Sequence, residues 1–412
     1  MPGLDWSDHV RWLNMEAIRL LEFGRAAGSA PNGFAWLDGR GRPDLEAPLD
    51  LWVTSRMTHV FALGALLGHQ WCAQLADHGI AALAGPFHDP ADGGWFSQIA
   101  PDGAALDTTK AAYAHAFVAL AASSAAAAAR PGAEDLLERA LAVQESHFLE
   151  AGRGLVVDVF NRDFTKSEDY RGANANMHTV EAYLAAADAT GDSRWRGRAL
   201  VIADWMVRQA RELDWRVPEH FTADWRPVLD YNADQPEDQF RPYGATPGHG
   251  FEWCRLILEL RAALGAEAPD WMRPAAEELF RRAYLDGWQD SPTAGFVYTT
   301  DWSGLPVIRT RLHWVAAEAV GAATTAYRAT GDPLYQHLYN RWWDMIGARF
   351  IDLAEGSWRH EVSPAGEASS QLWEGKPDIY HALQATLIPR LPLAPTLARA
   401  LRERRLDKEP LA

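Results

Sequence analysis

The sequence predicts an all-α protein: a closed toroid of twelve helices, with long connectors and short β-hairpins gathered around one mouth. Three observations predict it. Apolar residues recur at three- and four-residue spacing in segment after segment, as at Leu256, Leu260 and Leu264. Short turns rich in breakers alternate with long connectors. Neither a low-complexity linker nor a composition break divides the chain, so residues 1–412 are expected to form one catalytic domain.

In chain order, the helical spacing covers residues 9–27, 54–78, 107–129, 133–148, 177–189 and 194–212, then 249–264, 270–287, 312–330, 332–349, 377–388 and 393–403. The turns inside pairs are Arg130-Pro-Gly132, Thr190-Gly-Asp192, Ala266–Asp270, Thr330-Gly-Asp332 and Pro389–Pro392. Between pairs run connectors of roughly 79–106, 149–176, 213–248, 288–311 and 350–376. Two of them have a hairpin rhythm: Gly295–Gly304 alternates large residues toward a turn, and Gly356–Glu361 begins the same way. The first helix of each pair is expected in one ring and the second in the other, because neither ring can hide its apolar stripe alone. Closing the ring brings residues 52–57 beside 373–381. An open helical solenoid is the alternative.

The formal net charge is -16, which weighs against nucleic-acid or anionic-membrane binding. Two cysteines, Cys72 and Cys254, lie in apolar helical segments and fit a reducing, cytoplasmic setting. The start, MPGLDWSDHV, lacks a basic stretch followed by an apolar run, so no secretory signal is expected. The alanine-rich stretch 111–129 contains His115 and Ser123 and ends at Arg130-Pro131, as a packed helix would. Tryptophan is abundant, 19 of 412 residues, and many fall in connectors, where aromatic rings commonly line a sugar-like pocket.

Histidines carry the chemical signal. In Arg241-Pro-Tyr-Gly-Ala-Thr-Pro-Gly-His249-Gly-Phe-Glu252, two Pro/Gly stops deliver His249 to a helix start, with Glu252 three residues on and on the same face. A carboxylate there can orient the imidazole and raise its basicity. His381 follows Gly375-Lys-Pro-Asp-Ile-Tyr, His178 follows Arg171-Gly-Ala-Asn174-Ala-Asn-Met, and His313 follows Arg309-Thr-Arg-Leu. All four stand where a loop becomes a helix. A simple helix-start histidine paired with a first-turn glutamate explains His249 nearly as well.

Arg56 could stabilise a developing oxyanion, and Tyr113 or Asn174 could bind hydroxyls; a solvated helix residue and core packing are the plainer accounts of Arg56 and Tyr113. No His-Glu-x-x-His, cysteine pair or calcium loop is present, so no metal is expected, although converging histidines with Glu252 could assemble a zinc site. Carboxylate pairs such as Glu168-Asp169 and Glu237-Asp238 keep glycoside hydrolysis open, and a non-catalytic carbohydrate-binding protein remains an alternative.

As a set, five segments resemble the N-acylglucosamine 2-epimerase superfamily across nearly the whole chain. They are Thr54-Ser-Arg56-Met57, Lys110-Ala-Ala-Tyr113-Ala-His-Ala-Phe117, Asn174-Ala-Asn-Met-His178-Thr-Val-Glu181, Arg241 to Trp253, and Lys376-Pro-Asp-Ile-Tyr-His381. The wording around His249 is most similar to the aldose–ketose isomerase branch that acts on mannose or sulfoquinovose. The resemblance implies an (α/α)6 barrel and a cofactor-free mechanism on a monosaccharide, in a monomer or small homo-oligomer. It assigns His249 and His381 as the acid/base pair and Glu252 as the group tuning His249. Arg56, Tyr113, Asn174 and His178 become sugar contacts or ring openers, and Trp314, Glu318 and Trp373 pocket walls. The implied reaction interconverts D-mannose and D-fructose, with D-lyxose and D-xylulose as a second pair. Sulfoquinovose isomerisation, with Arg171, Arg241 and Arg311 as rim cations, and 2-epimerisation of cellobiose or N-acylglucosamine are the alternatives.

Overall fold

In the computed structural model, which describes residues 6–291 and 293–408, the helices are α1 (Trp6–Gly24), α2 (Leu51–Leu66), α3 (Gln70–Ala84), α4 (Ala112–Ala127), α5 (Ala133–Val143), α6 (Ala173–Thr190) and α7 (Arg194–Glu212). The second half adds α8 (Pro247–Leu264), α9 (Met272–Gly287), α10 (His313–Thr330), α11 (Pro333–Arg349), α12 (Tyr380–Leu387) and α13 (Leu397–Arg402). Helices α2, α4, α6, α8, α10 and α12 pack in that order into an inner ring, and α12 returns to α2 to close it. The all-α toroid is present.

Burial explains which ring each helix joins. Inner helices are covered on all sides: α4 buries nearly every residue from Ala112 to Ala127, and α2 nearly every residue from Leu51 to Gly64. Outer helices bury one stripe, as α7 does with Trp195, Ala199, Ile202, Ala203, Met206, Val207 and Ala210. The inner sequences are alanine-rich for the same reason, since small side chains let two layers and a ring neighbour approach together. Pair turns are tight: Gly191 and Gly331 stop α6 and α10 at φ +73° and +72°, a left-handed conformation suited to glycine. Asp332 then caps α11, its carboxylate accepting the Leu334 N–H at 2.9 Å, with Pro333 in the first turn.

Three sequence expectations are corrected. The segment 54–78 is two helices, broken at Leu67-Gly68-His69 with Gly68 at φ +98°, so the first inner–outer pair is α2 with α3. Helix α1 therefore does not lead an inner ring; its stripe of Leu13, Ala17, Leu20 and Leu21 puts it outside, against α12 at the closure. The segment 393–403 contributes only the short α13, which lies under α2, α4 and α6 instead of completing a pair.

The connectors form a collar of two- and three-residue strands. The strand before an inner helix pairs antiparallel with a strand of the next connector: Leu49–Asp50 with Gln98–Ile99, Lys110–Ala111 with Val159–Phe160, Tyr170–Gly172 with His220–Thr222, and Arg311–Leu312 with Glu361–Val362. Each such ladder fixes where the following inner helix begins. The hairpin read from Gly295–Gly304 is also present, with Thr299–Thr300 paired to Pro306–Ile308.

Candidate active site

At the collar end the inner ring opens on a cavity whose space, with the solvent-filled mouth included, is about 850 Å³. Its wall gathers the first two turns of all six inner helices. Tyr113, His249, His313 and His381 come from first turns, whereas Arg56 and His178 come from second turns. Helix α6 starts at Ala173, so His178 is not at the loop-to-helix change. Asn174, Glu252, Trp314 and Trp373 line it too. Glu318 stands one layer behind the wall, buried against His381. Closure of the ring is visible here: Arg56 donates to the Asp378 carboxylate at 3.2 Å, and the Trp52 and Trp373 rings lie 6.1 Å apart.

Each of two imidazoles is held by a carboxylate. His249 Nδ1 lies 2.9 Å from both Glu219 oxygens, and His381 Nδ1 lies 3.0 Å from Glu318 Oε1. A carboxylate only accepts, so Nδ1 carries the proton and Nε2 keeps its lone pair. Both rings flank one indole, with His249 at 5.2 Å and His381 at 5.8 Å from Trp314. Glu252 does not orient His249, as its three-residue spacing had suggested. It faces inward to His178 Nδ1 at 3.7 Å and Arg255 at 3.5 Å, while Glu219 reaches His249 from the connector after α7. Nothing in local spacing marks Glu219, because it is 30 residues from its partner.

Beneath the wall, Arg255 donates to Glu318 at 2.9 Å and lies near Glu252 and Glu259 at 3.5 and 3.4 Å. Burial raises the Glu252 carboxyl well above its usual range, and the nearby Glu318 charge adds to that. Burial also pushes Glu318 upward, but the Arg255 charge and the His381 contact outweigh it and leave Glu318 ionised. For His381 burial dominates over the raising contact of Glu318, so its pKa falls below 6.5 and the ring is a free base at neutral pH. His178 is pushed down to about 4 by burial.

Arg56 is the one Lys or Arg among the cavity-lining residues. Burial disfavours its charge, yet Tyr113 and Asp378 more than offset that and keep it fully cationic. Its Nη2 donates to Tyr113 at 2.8 Å, and its guanidinium lies 4.4 Å from the Phe117 ring centroid. Arg171, Arg241 and Arg311 are not in the wall. Arg241 pairs with Glu168 at 2.9 Å, and Arg171 donates to the Glu168 and Tyr170 carbonyls.

Six buried polar atoms of cavity-lining residues have no protein hydrogen-bond partner among the described residues: Arg56 Nε, Asn174 Oδ1, His178 Nδ1, Thr246 Oγ1, His313 Nε2 and Trp373 Nε1. Such atoms are rare in a folded interior and costly unless something meets them. Donors and acceptors mixed around one cavity suit a ligand dense in hydroxyls. For a metal, His178, Glu181 and Glu252 offer donor atoms within 4.8 Å of one another. However, Glu181 already accepts from Tyr380 Oη and from Gln384 at 3.1 Å.

The model of the N-acylglucosamine 2-epimerase (GlcNAc 2-epimerase) family matches residues 33–385. The chain belongs to this family. Within it, the chain is 50% identical over 395 residues to a D-mannose isomerase of Thermobifida fusca, covering 95% of this chain and 97% of that protein. A D-mannose isomerase of Pseudomonas cannabina pv. alisalensis is 48% identical over 397 residues, 95% of either chain. A crystal structure of a D-mannose isomerase superposes with a TM-score of 0.85 at 30% identity, covering 91% of this chain and 96% of that one. The family assignment agrees with the resemblance read from the five segments.

Proposed function

We propose that this family member is a cofactor-independent aldose–ketose isomerase that interconverts D-mannose and D-fructose. The carrying observation is the pair of Nδ1-anchored imidazoles flanking Trp314 in a cavity lined by unpaired polar atoms. The likeness to two D-mannose isomerases along nearly their full length supports the substrate.

In the open-chain aldose, the C2 proton is acidified by the C1 carbonyl. His381 Nε2 takes that proton, and the C2–H electron pair forms the C1–C2 double bond while the C1 carbonyl pair moves onto O1. Arg56 stabilises the resulting enediolate charge. The proton then returns from His381 to C1, and the O2–H proton leaves as the C2 carbonyl forms; O1 is protonated. His249 serves these oxygen protons. Glu318 and Glu219 hold their rings in the tautomer this needs and stabilise the imidazolium when it forms.

A neutral monosaccharide suits the wall best. Its one guanidinium is already paired with Asp378, which leaves no second cation for a sulfonate. Phe240 and Trp373, from two different connectors, meet at 5.6 Å across the cavity, and Trp36 stacks on Trp373 at 6.4 Å, a narrow passage for a disaccharide. D-Lyxose, which lacks the C6 group of mannose, is a second substrate in this reading. Among the described residues no helix is long and apolar enough to cross a membrane, and both cysteines are free and buried, in keeping with a cytoplasmic enzyme acting as a monomer or small homo-oligomer. We take the whole chain as one catalytic domain.

Incubation with D-mannose in deuterated water, with products resolved over time, tests the proposal. D-Fructose is expected as the dominant early product. Two imidazoles flanking one indole also suit a two-base 2-epimerase; D-glucose appearing first would establish that reading instead. No conversion of mannose would remove the proposal.

A further inference from the structure

His313 is one of four histidines of the wall, with His178, His220 and His360, to which the two-imidazole mechanism gives no task. It is the first residue of α10, 5% exposed, and its ring lies 6.4 Å from that of His381 at 82°. Its backbone N–H donates to the His360 carbonyl at 3.0 Å, and its Nδ1 lies 3.3 Å from that same oxygen. A carbonyl oxygen only accepts, so Nδ1 carries the proton and Nε2 is left as a bare acceptor. That Nε2 is among the buried atoms with no protein partner.

The setting keeps the ring neutral. His313 stacks on His360 at 3.9 Å, and His360 Nε2 in turn donates to the Asp378 carbonyl at 3.1 Å. Burial is the main reason that its pKa lies well below the usual histidine value, and His360, His381 and Arg56 would each repel a further positive charge. Among the described residues no carboxylate backs His313, in contrast to its neighbour His381. Two adjacent imidazoles are therefore prepared differently, one as a base and one as a permanent hydrogen-bond acceptor.

We infer that His313 Nε2 accepts a hydrogen bond from a substrate hydroxyl next to the carbon that His381 deprotonates, and so selects sugars carrying that hydroxyl. Sites built to bond a hydroxyl reject analogues lacking it far more strongly than apolar pockets reject extra bulk, because the buried partner is left unpaired. His313 thereby becomes a specificity-determining contact, in addition to the acid/base pair. The inference rests on the sugar-isomerase reading, and the measurement below uses binding so that the two can fail separately.

The test pairs side chain and hydroxyl in one cycle. Binding of D-mannose and of its 2-, 3-, 4- and 6-deoxy analogues is measured by calorimetry for the unaltered protein and for His313→Phe, which keeps an aromatic ring without the acceptor. His313→Asn, smaller and polar, is carried through the same series so that a folding failure of the phenylalanine variant does not end the test. Thermal unfolding checks that each variant is folded. The unaltered protein is expected to bind the 2- or 3-deoxy sugar about tenfold more weakly than mannose. In His313→Phe mannose itself should weaken by a similar factor, and removing that one hydroxyl should then cost nothing further. In His313→Asn the amide oxygen should restore part of the discrimination. Full retention of every deoxy penalty in the folded variants, or mannose affinity unchanged in them, would overturn the inference. Ketose formation by the unaltered protein is followed in parallel and reports on the activity alone.

Discussion

His249 and His381 receive the same gift, a carboxylate on Nδ1, from two very different places. Glu219 belongs to a connector, and the His249 side chain it holds is 15% exposed. Glu318 lies inside α10 and pairs with Arg255, which gathers two further carboxylates, and its His381 is 7% exposed. The first pair can be adjusted by a loop without disturbing the barrel. The second is part of the barrel's interior, so its chemistry and its stability are one problem. The base that needs a fixed, dry geometry is built from helices, and the group that exchanges oxygen protons stands nearer to water.

The largest expected effect is loss of the base. His381→Asn should lower kcat by about a thousandfold, in the range usual for a positioned acid/base group, with the fold retained by circular dichroism. His249→Asn should be comparable, and wild-type turnover in either would remove that ring from the mechanism.

Changing the two carboxylates separates the two pairs most directly. Glu318→Gln leaves Arg255 facing a disturbed network and should cost about 3–5 kcal/mol of stability, read as a lower Tm, together with a drop in kcat. Glu219→Gln should reduce kcat about tenfold and leave stability within about 1 kcal/mol. Equal losses of stability in the two variants would show that the pairs are not built differently.

The pH profile sharpens the same contrast. His381 must be neutral to act, and its pKa lies below 6.5, so kcat/KM should hold through neutrality and fall only at pH below the ordinary histidine range. Glu318 raises that pKa, so Glu318→Gln should move the acid limb further down. An acid limb above pH 7 would contradict the burial that dominates His381.

Smaller effects should come from the buried neutral histidines. His59, His178 and His360 are each pushed down to about 4 by burial, so the unfolded chain binds protons that the folded one refuses. Stability should be full above pH 6.5 and decline as pH falls toward 4, each ring contributing on the order of a kcal/mol, measured as Tm against pH. Chelators should leave the rate unchanged if imidazoles alone move the protons. Full loss on chelation with recovery on a divalent ion would direct attention to His178, Glu181 and Glu252.

The sequence by itself determined the helices, the alternation of short and long connections, and the residue types at the inner helix starts. These are local matters: helical period, breakers and caps act within a turn or two. It even carries the inner and outer assignment, in the alanine-rich, charge-poor α4 against the striped α7, although the helical spacing runs on through Gly68 and so mispairs α1. Tertiary structure decided which carboxylate meets which imidazole. Glu219 and Glu318 lie 30 and 63 residues from their partners, and Glu252, three residues from His249, turns instead toward His178 and Arg255. A helix places a neighbour on the same face, but a ring of helices chooses among distant groups by how each inner helix is rotated, and that rotation is set by packing against both neighbours and the outer layer at once.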